Sequence, residues 1–156
     1  LQELLNEQNV VQVQSSTWEA AIVELTQYLQ TSGQMPEFDS SILTDVINQE
    51  SCNCSMADRG LAYPHIYSDD FEATTIILGV SKTGIEYDSP DGLPCQIILM
   101  TISPDNKDIE LERFLSLFRT MIQNSGIRLK IIEAEDAGEI LDIINSWETE
   151  QLEIDA

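Results

Sequence analysis

The chain has 156 residues, 42% of them hydrophobic, with 28 acids against 7 bases and a net charge of −21. Such a content suits one globular domain with a real core, and no run of 18 apolar residues exists to cross a bilayer as a helix. The acidic surface repels nucleic acid and anionic lipid, so no nucleic-acid partner and no direct membrane insertion is expected; it serves solubility or attracts a basic protein.

In chain order, Val10-Val11-Gln12-Val13 reads as a short first strand. Ser16 is placed as the cap of a first helix, with Glu19 completing a capping box. Trp18, Ala21, Ile22, Leu25 and Leu29 recur at helical spacing up to Gly33. After a break at Met35-Pro36, Asp39 or Ser40 opens a second helix whose apolar face is Ile42, Leu43, Val46 and Ile47. Residues 50 to 59 are polar and irregular, and a strand follows over Gly60–Tyr63.

The β-branched run from Ala73 to Val80 reads as a buried strand, and Ile85-Glu86-Tyr87 as a short edge piece before the turn Ser89-Pro90-Asp91-Gly92. Cys95 to Ile102 is another core strand. Asp108 caps a helix with Leu111, Phe114, Leu115, Phe118, Met121 and Ile122 inward, stopped by Gly126. Ile127 to Ile132 reads as a further strand, and Asp136 caps a last helix with Ile140, Leu141, Ile144 and Trp147 inward. The expected fold is α/β: one domain over residues 1–148, with a mixed sheet of about five strands covered by helices on both faces, and an acidic C-terminal tail over 149–156.

Leu1-Gln2-Glu3-Leu4-Leu5 lacks the basic and apolar regions of a signal peptide, and the first residue is not Met, so the chain reads as a segment of a longer protein or a trimmed one. Cys52, Cys54 and Cys95 make an odd count without a disulfide framework; free thiols point to a reducing, cytoplasmic setting. Cys52, Cys54 and His65 do not have the spacing of structural zinc, and a fourth ligand is not evident, so no metal and no cofactor is expected.

His65 is the single histidine, and it follows a proline. Proline fixes its own φ and pushes the residue before it into an extended conformation. Tyr63 is therefore extended and His65 emerges at a strand exit, where α/β proteins tend to place chemistry. The alternative is a partly exposed histidine in a turn, followed by the polar Ser68-Asp69-Asp70.

With these residues in order, the chain resembles the IIA domain of the fructose/mannitol-type sugar phosphotransferase system, a family that includes nitrogen-related IIA proteins. The likeness runs from about Leu4 to Trp147. Gly60-Leu61-Ala62-Tyr63-Pro64-His65 is similar to the family's Gly-x-Ala-x-Pro-His stretch. Gly84-Ile85-Glu86-Tyr87 with Asp91-Gly92-Leu93-Pro94, then Ile97-Ile98-Leu99-Met100 and Pro104, then Leu111, Phe114, Leu117 and Met121, follow the rest of its pattern.

The resemblance implies that His65 accepts a phosphoryl group from a small phosphocarrier protein and passes it on. A neutral imidazole is a competent nucleophile near pH 7, and the transfer then rests on positioning and on charge stabilisation at the phosphoryl oxygens. The family commonly has Arg shortly after Pro-His, where this chain has Ile66-Tyr67, and a second histidine where this chain has Glu110. The family's small-residue loop is matched by Cys54-Ser55-Met56-Ala57-Asp58, which keeps a hydroxyl at Ser55, and Arg59 is the nearest cation in sequence.

The candidate catalytic residues are thus His65, Glu110 and Ser55, with Ser55 as a hydrogen-bond donor to the phosphoryl group. A glutamate facing a phosphohistidine opposes the charged product by roughly 4 kcal/mol for unit charges about 4 Å apart at an effective dielectric near 20. Alternatively, Glu110 orients the imidazole as triad carboxylates do, or only complements the positive end of its helix.

Two functions lead, ahead of a pure interaction module that binds a basic partner through the acidic surface. The first expectation is a divergent IIA-like regulatory domain, the cytoplasmic part of or partner to a membrane transporter such as a cation/proton antiporter, sensing a ligand or partner at the His65 cleft. The alternative is an active phosphoryl carrier at His65, served by a basic phosphocarrier protein and delivering to a sugar transporter or regulatory target.

Overall fold

Alternation along two long strands sets the architecture. The computed structural model describes residues 4–33, 40–52, 54–57, 59–68, 71–87, 91–104 and 108–155. Strand β4 (Thr75–Ile85) and strand β5 (Cys95–Ser103) form an antiparallel pair, with Leu78 opposite Leu99 and a bulge between Val80 and Ile85. Successive strand residues point to opposite faces. Ile76, Leu78, Val80, Ile97 and Leu99 therefore enter one core, and Ile77, Ile98, Met100 and Ile102 enter the other. Both strands are apolar on both sides, so both faces must be covered.

One face is covered by helices α1 (Trp18–Thr31) and α2 (Ser40–Cys52), through Ile22, Leu25, Leu29, Ile42 and Val46. The other is covered by α3 (Ile109–Ile122), α4 (Ser125–Glu133) and α5 (Ala137–Asp155), through Phe114, Phe118, Ile131, Ile140 and Ile144. Gly79 gives the neighbouring side chains room: a Cβ there would lie 2.7 Å from Val13 Cγ2, 2.8 Å from Ile98 Cγ2 and 3.1 Å from Leu25 Cδ2 of α1.

Strand β1 (Val10–Gln12) runs parallel to β4 on its free side. Along the far side of β5 lie two short parallel strands in tandem, β2 (Leu61–Ala62) and β3 (His65–Tyr67), with Leu61 paired to Ile97 and His65 to Thr101. Pro64 sits between them. It has no N–H to offer a ladder, but its carbonyl accepts the Thr101 N–H at 3.0 Å. The break at this point leaves β2 and β3 on one line while freeing His65 from the middle of a strand.

The five-stranded mixed sheet with helices on both faces is the expected fold. Several readings change. Ile127 to Ile132 is helix rather than strand: Asn124 caps α4, accepting the Ile127 N–H at 3.1 Å, and Gly126 lies inside that helix instead of ending the one before it. The fifth strand is instead β3, which begins at His65 itself. Ile85 belongs to β4, not to a separate edge piece.

The first helix is capped by Thr17, one residue beyond Ser16, with Thr17 Oγ1 accepting the Ala20 N–H. Asp108 caps α3 and the Asp136 carboxylate accepts the Glu139 N–H at the start of α5, both as expected. α5 is helical through residues 149–155, with Leu152 and Ile154 exposed. The break at Met35-Pro36, Asp39, Asn53, Asp58, Asp69-Asp70 and the Ser89-Pro90 half of the turn lie outside the described residues. No helix among the described residues is long and apolar enough to cross a membrane.

Candidate functional site at His65

The site begins with a carboxylate buried at the end of α2. Glu50 is only 3% exposed. A buried carboxylate must be hydrogen-bonded, and Glu50 is: it accepts both the backbone N–H and the hydroxyl of Ser55, the latter at 2.7 Å, and the Tyr87 hydroxyl at 2.9 Å. Burial, then the Glu50 charge and its hydrogen bond, push the Tyr87 phenol up, so Tyr87 is a fixed donor. Ser55 Oγ in turn accepts the Tyr63 N–H at 2.9 Å. One chain of hydrogen bonds thus runs from α2 through the 54–57 loop to the residue before Pro64.

His65 is exposed on β3, its ring meeting Tyr67 edge-on at 5.8 Å between centroids. It opens onto a cavity of about 440 Å³ between β3 and α2, shared with Asp45, Asn48, Gln49, Cys52 and Tyr67. The Asn48 and Gln49 amides and the Tyr67 hydroxyl are the neutral donors of this lining; among the described residues that line it there is no Arg or Lys.

Of the three residues singled out in the sequence, His65 is the one that lines this cavity among the described residues. Ser55 lies in the 54–57 loop, its hydroxyl donating to Glu50 and accepting the Tyr63 N–H. Glu110, in the first turn of α3, lines a different cavity with Thr74, Pro104 and Asp108. No hydrogen bond among the described residues joins Glu110 to His65. Its neighbour Asp108 is held below the usual carboxylate range, by the Thr74 hydroxyl first and by the Leu111 and Glu110 backbone N–H groups. Acids here complement the positive end of α3.

With this geometry in place, comparison with known proteins is decisive at the level of family. The family model described as "Phosphoenolpyruvate-dependent sugar phosphotransferase system, EIIA 2" matches residues 3–147. The chain belongs to this family. A PTS system fructose-specific EIIABC component of Bacillus subtilis is 28% identical over 144 residues, covering 92% of this chain; the chain spans only 22% of that relative's length. A PTS system fructose-specific EIIA component of Haloferax volcanii is 23% identical over 129 residues, covering 83% of each chain. In fold, the IIA domain superposes on the nitrogen regulatory protein IIA-Ntr from Neisseria meningitidis with a TM-score of 0.77 at 19% identity, over 90% of this chain and 96% of that one.

Two features of this IIA domain escape sequence reading. Glu50 sits in the stretch that reads as polar and irregular, and nothing in its neighbours signals burial. The partners that satisfy it, Ser55 and Tyr87, are 5 and 37 residues away. The α2 side of the cavity is equally silent, because Asp45, Asn48 and Gln49 look like an ordinary solvated helix face. Chemically, the arrangement offers an accessible imidazole on a strand braced from behind, facing amide donors. No group of three or more His, Cys, Asp or Glu among the described residues is placed to hold a metal ion.

Proposed function

We propose that this IIA domain is a cytoplasmic phosphoryl carrier of a fructose-class sugar phosphotransferase system, with His65 as the acceptor. The observation that carries the reading is the exposure of His65 at the start of β3, in the position that the Pro-His stretch gives it. In the transfer, the lone pair of the unprotonated ring nitrogen attacks phosphorus. A P–N bond forms as the bond from phosphorus to the donor protein breaks, and the donor group leaves with that electron pair. The proton on the other ring nitrogen leaves to water as the neutral phosphoimidazole forms. In delivery the ring takes up a proton on its other nitrogen, a nucleophile of the next protein bonds to phosphorus, and the P–N bond breaks with its electron pair returning to His65. Asn48 and Gln49 donate to the phosphoryl oxygens, while Ser55 and Glu50 act as positioning residues that fix the strand entering Pro64.

The acidic surface suits a basic phosphocarrier donor, since complementary charge speeds encounter. The receiving partner is the B and C part of a sugar transporter, as in the name of the Bacillus relative.

A second reading has one observation in its favour: among the described residues lining the His65 cavity, none is a cation to offset the phosphoryl charge, and Asp45 adds to it. On that reading the domain regulates an attached or associated transporter, such as a cation/proton antiporter, by binding a ligand or partner at the cleft. A sugar-phosphorylation assay separates the two. Membranes carrying fructose-type B and C parts from the same source are combined with phosphoenolpyruvate, the general enzyme, the phosphocarrier and this chain. The carrier reading predicts sugar phosphorylation that needs this chain and is abolished by His65→Ala. Equal turnover with wild type and His65→Ala would leave only the regulatory reading.

A further inference from the structure

A second cleft, between β2 and α3, is the basic exception in an acidic molecule. It measures about 300 Å³, and Arg59, Leu61, Tyr63, Arg119 and Gln123 line it. No acid is among its described lining residues, although the chain holds 28 acids and 7 bases.

The Arg119 guanidinium and the Arg59 backbone are positioned by the structure around them. The Arg119 guanidinium lies over the Tyr63 ring, 5.1 Å from its centroid. That ring is itself fixed edge-on against Phe118 at 6.4 Å. Arg59 occupies the left-handed region at φ 65°, and its backbone N–H donates to Asp91 Oδ2 at 2.8 Å, so the turn holds it beside the cleft. The negative end of α3 would oppose an anion here. Arg128 removes that objection, donating to the Ile122 carbonyl at 2.6 Å and the Gln123 carbonyl at 3.2 Å. Three of the seven bases therefore gather at this cleft or its rim. Burial pushes the Tyr63 phenol up against the opposing pull of Arg119, so its hydroxyl stays protonated and able to donate.

We propose that this cleft is an anion site for a small phosphomonoester, gripped by the Arg59 and Arg119 guanidiniums with Gln123 and the Tyr63 hydroxyl as further donors. Planar guanidinium forks match phosphate oxygens in pairs. A volume of about 300 Å³ stands at the small end of ligand sites, which suits a compact ester. The net charge of −21 repels a polyanion such as nucleic acid or an anionic membrane far more than one small dianion. The site is separate from the His65 cavity in its lining, yet Tyr63 is two residues from His65 along the chain. Neither its existence nor its test depends on His65 carrying phosphate.

The test is calorimetric titration of the full chain with glycerol 3-phosphate, with inorganic phosphate and succinate as comparison probes. The expected result is saturable glycerol 3-phosphate binding, weakened roughly tenfold or more in Arg59→Gln and in Arg119→Gln, and retained in Arg119→Lys to a larger extent and in His65→Ala in full. Thermal melts of each variant show that the fold is kept, and Arg59→Gln, at an exposed position, keeps the test valid where Arg119→Gln loosens Tyr63. Non-saturable binding, binding unchanged in Arg59→Gln, or loss in His65→Ala would overturn the site. Succinate binding as tightly as the ester would overturn the phosphate class.

Discussion

The backbone N–H of Tyr63 ends on the hydroxyl oxygen of Ser55, 2.9 Å away, and that bond ties the 54–57 loop to the strand that presents His65. Ser55 relays the tie to the buried Glu50 carboxylate. Ser55→Ala leaves both the Tyr63 N–H and one Glu50 oxygen without this partner. A buried group so stranded costs about 1–3 kcal/mol. Denaturant titration of Ser55→Ala should show that loss, and transfer to His65 should slow with it, while Ser55→Thr restores both. Unchanged stability would mean that the network does not brace the strand.

Gly60 makes a second, independent demand on the same motif. Its φ is 75°, and a Cβ there would stand 3.0 Å from the Pro94 carbonyl oxygen. The strand cannot back away, because Gly60's own carbonyl accepts the Gln96 N–H at 2.9 Å and the Ile97 N–H at 3.1 Å. The left-handed region alone costs a residue with a Cβ about 1–2 kcal/mol. Gly60→Ala should therefore lower the unfolding free energy by at least about that much, while Gly92→Ala, whose added Cβ meets nothing within 4 Å, loses only the conformational part.

How legible this was in the sequence depends on where each signal sits. The long strands and the helices α1, α3 and α5 declare themselves, because their apolar period decides burial on its own. The Pro-His stretch was legible in part: His65 is exposed, but it opens strand β3 rather than leaving a strand or lying in a turn, because β5 pairs with it beyond Pro64. The α4 segment was not. Ile127, Leu129 and Ile131 alternate like a strand, yet Leu129 is 55% exposed and only Ile131 is fully buried. β-propensity is a preference for a half-buried pleated surface and yields to context. Here the Asn124 cap and packing under the sheet decide for helix. Of the three candidate site residues, His65 was placed at an exposed position, while Ser55 and Glu110 were drawn towards it only by resemblance. The Glu50 partner of Ser55 and the Thr74–Asp108 cavity beside Glu110 are tertiary features that sequence spacing does not reveal.

The helical state of α4 has its own test. Removing an Asn cap costs about 1 kcal/mol where a helix is present and far less in a strand. Asn124→Ala should lower the thermal midpoint and reduce far-ultraviolet helicity. No change in either would return the segment to a strand.

Stability should fall on the alkaline side. The buried Cys95 thiol is pushed up to about 12, by burial above all, with the nearby Glu50 carboxylate adding to it. Tyr87 is raised for the same reasons. In the unfolded chain these groups titrate near about 8.5 and about 10. Between those values and the folded ones, the unfolded state has released protons that the folded state keeps, so unfolding becomes more favourable as pH rises. Thermal midpoints should decline from about pH 8 to about pH 11, with a shallower slope in Cys95→Val. In the folded chain a thiol reagent should label the exposed Cys52 and Cys54, and reach Cys95 only on unfolding.

The central claim is that His65 accepts the phosphoryl group, and intact mass measures this most directly. The chain is incubated with phosphoenolpyruvate, the general phosphotransferase enzyme and its phosphocarrier, beside His65→Ala. The expected result is a gain of one phosphoryl group, labile to acid and absent from His65→Ala. No gain on the wild-type chain, with the phosphocarrier itself shown to be phosphorylated, would contradict it.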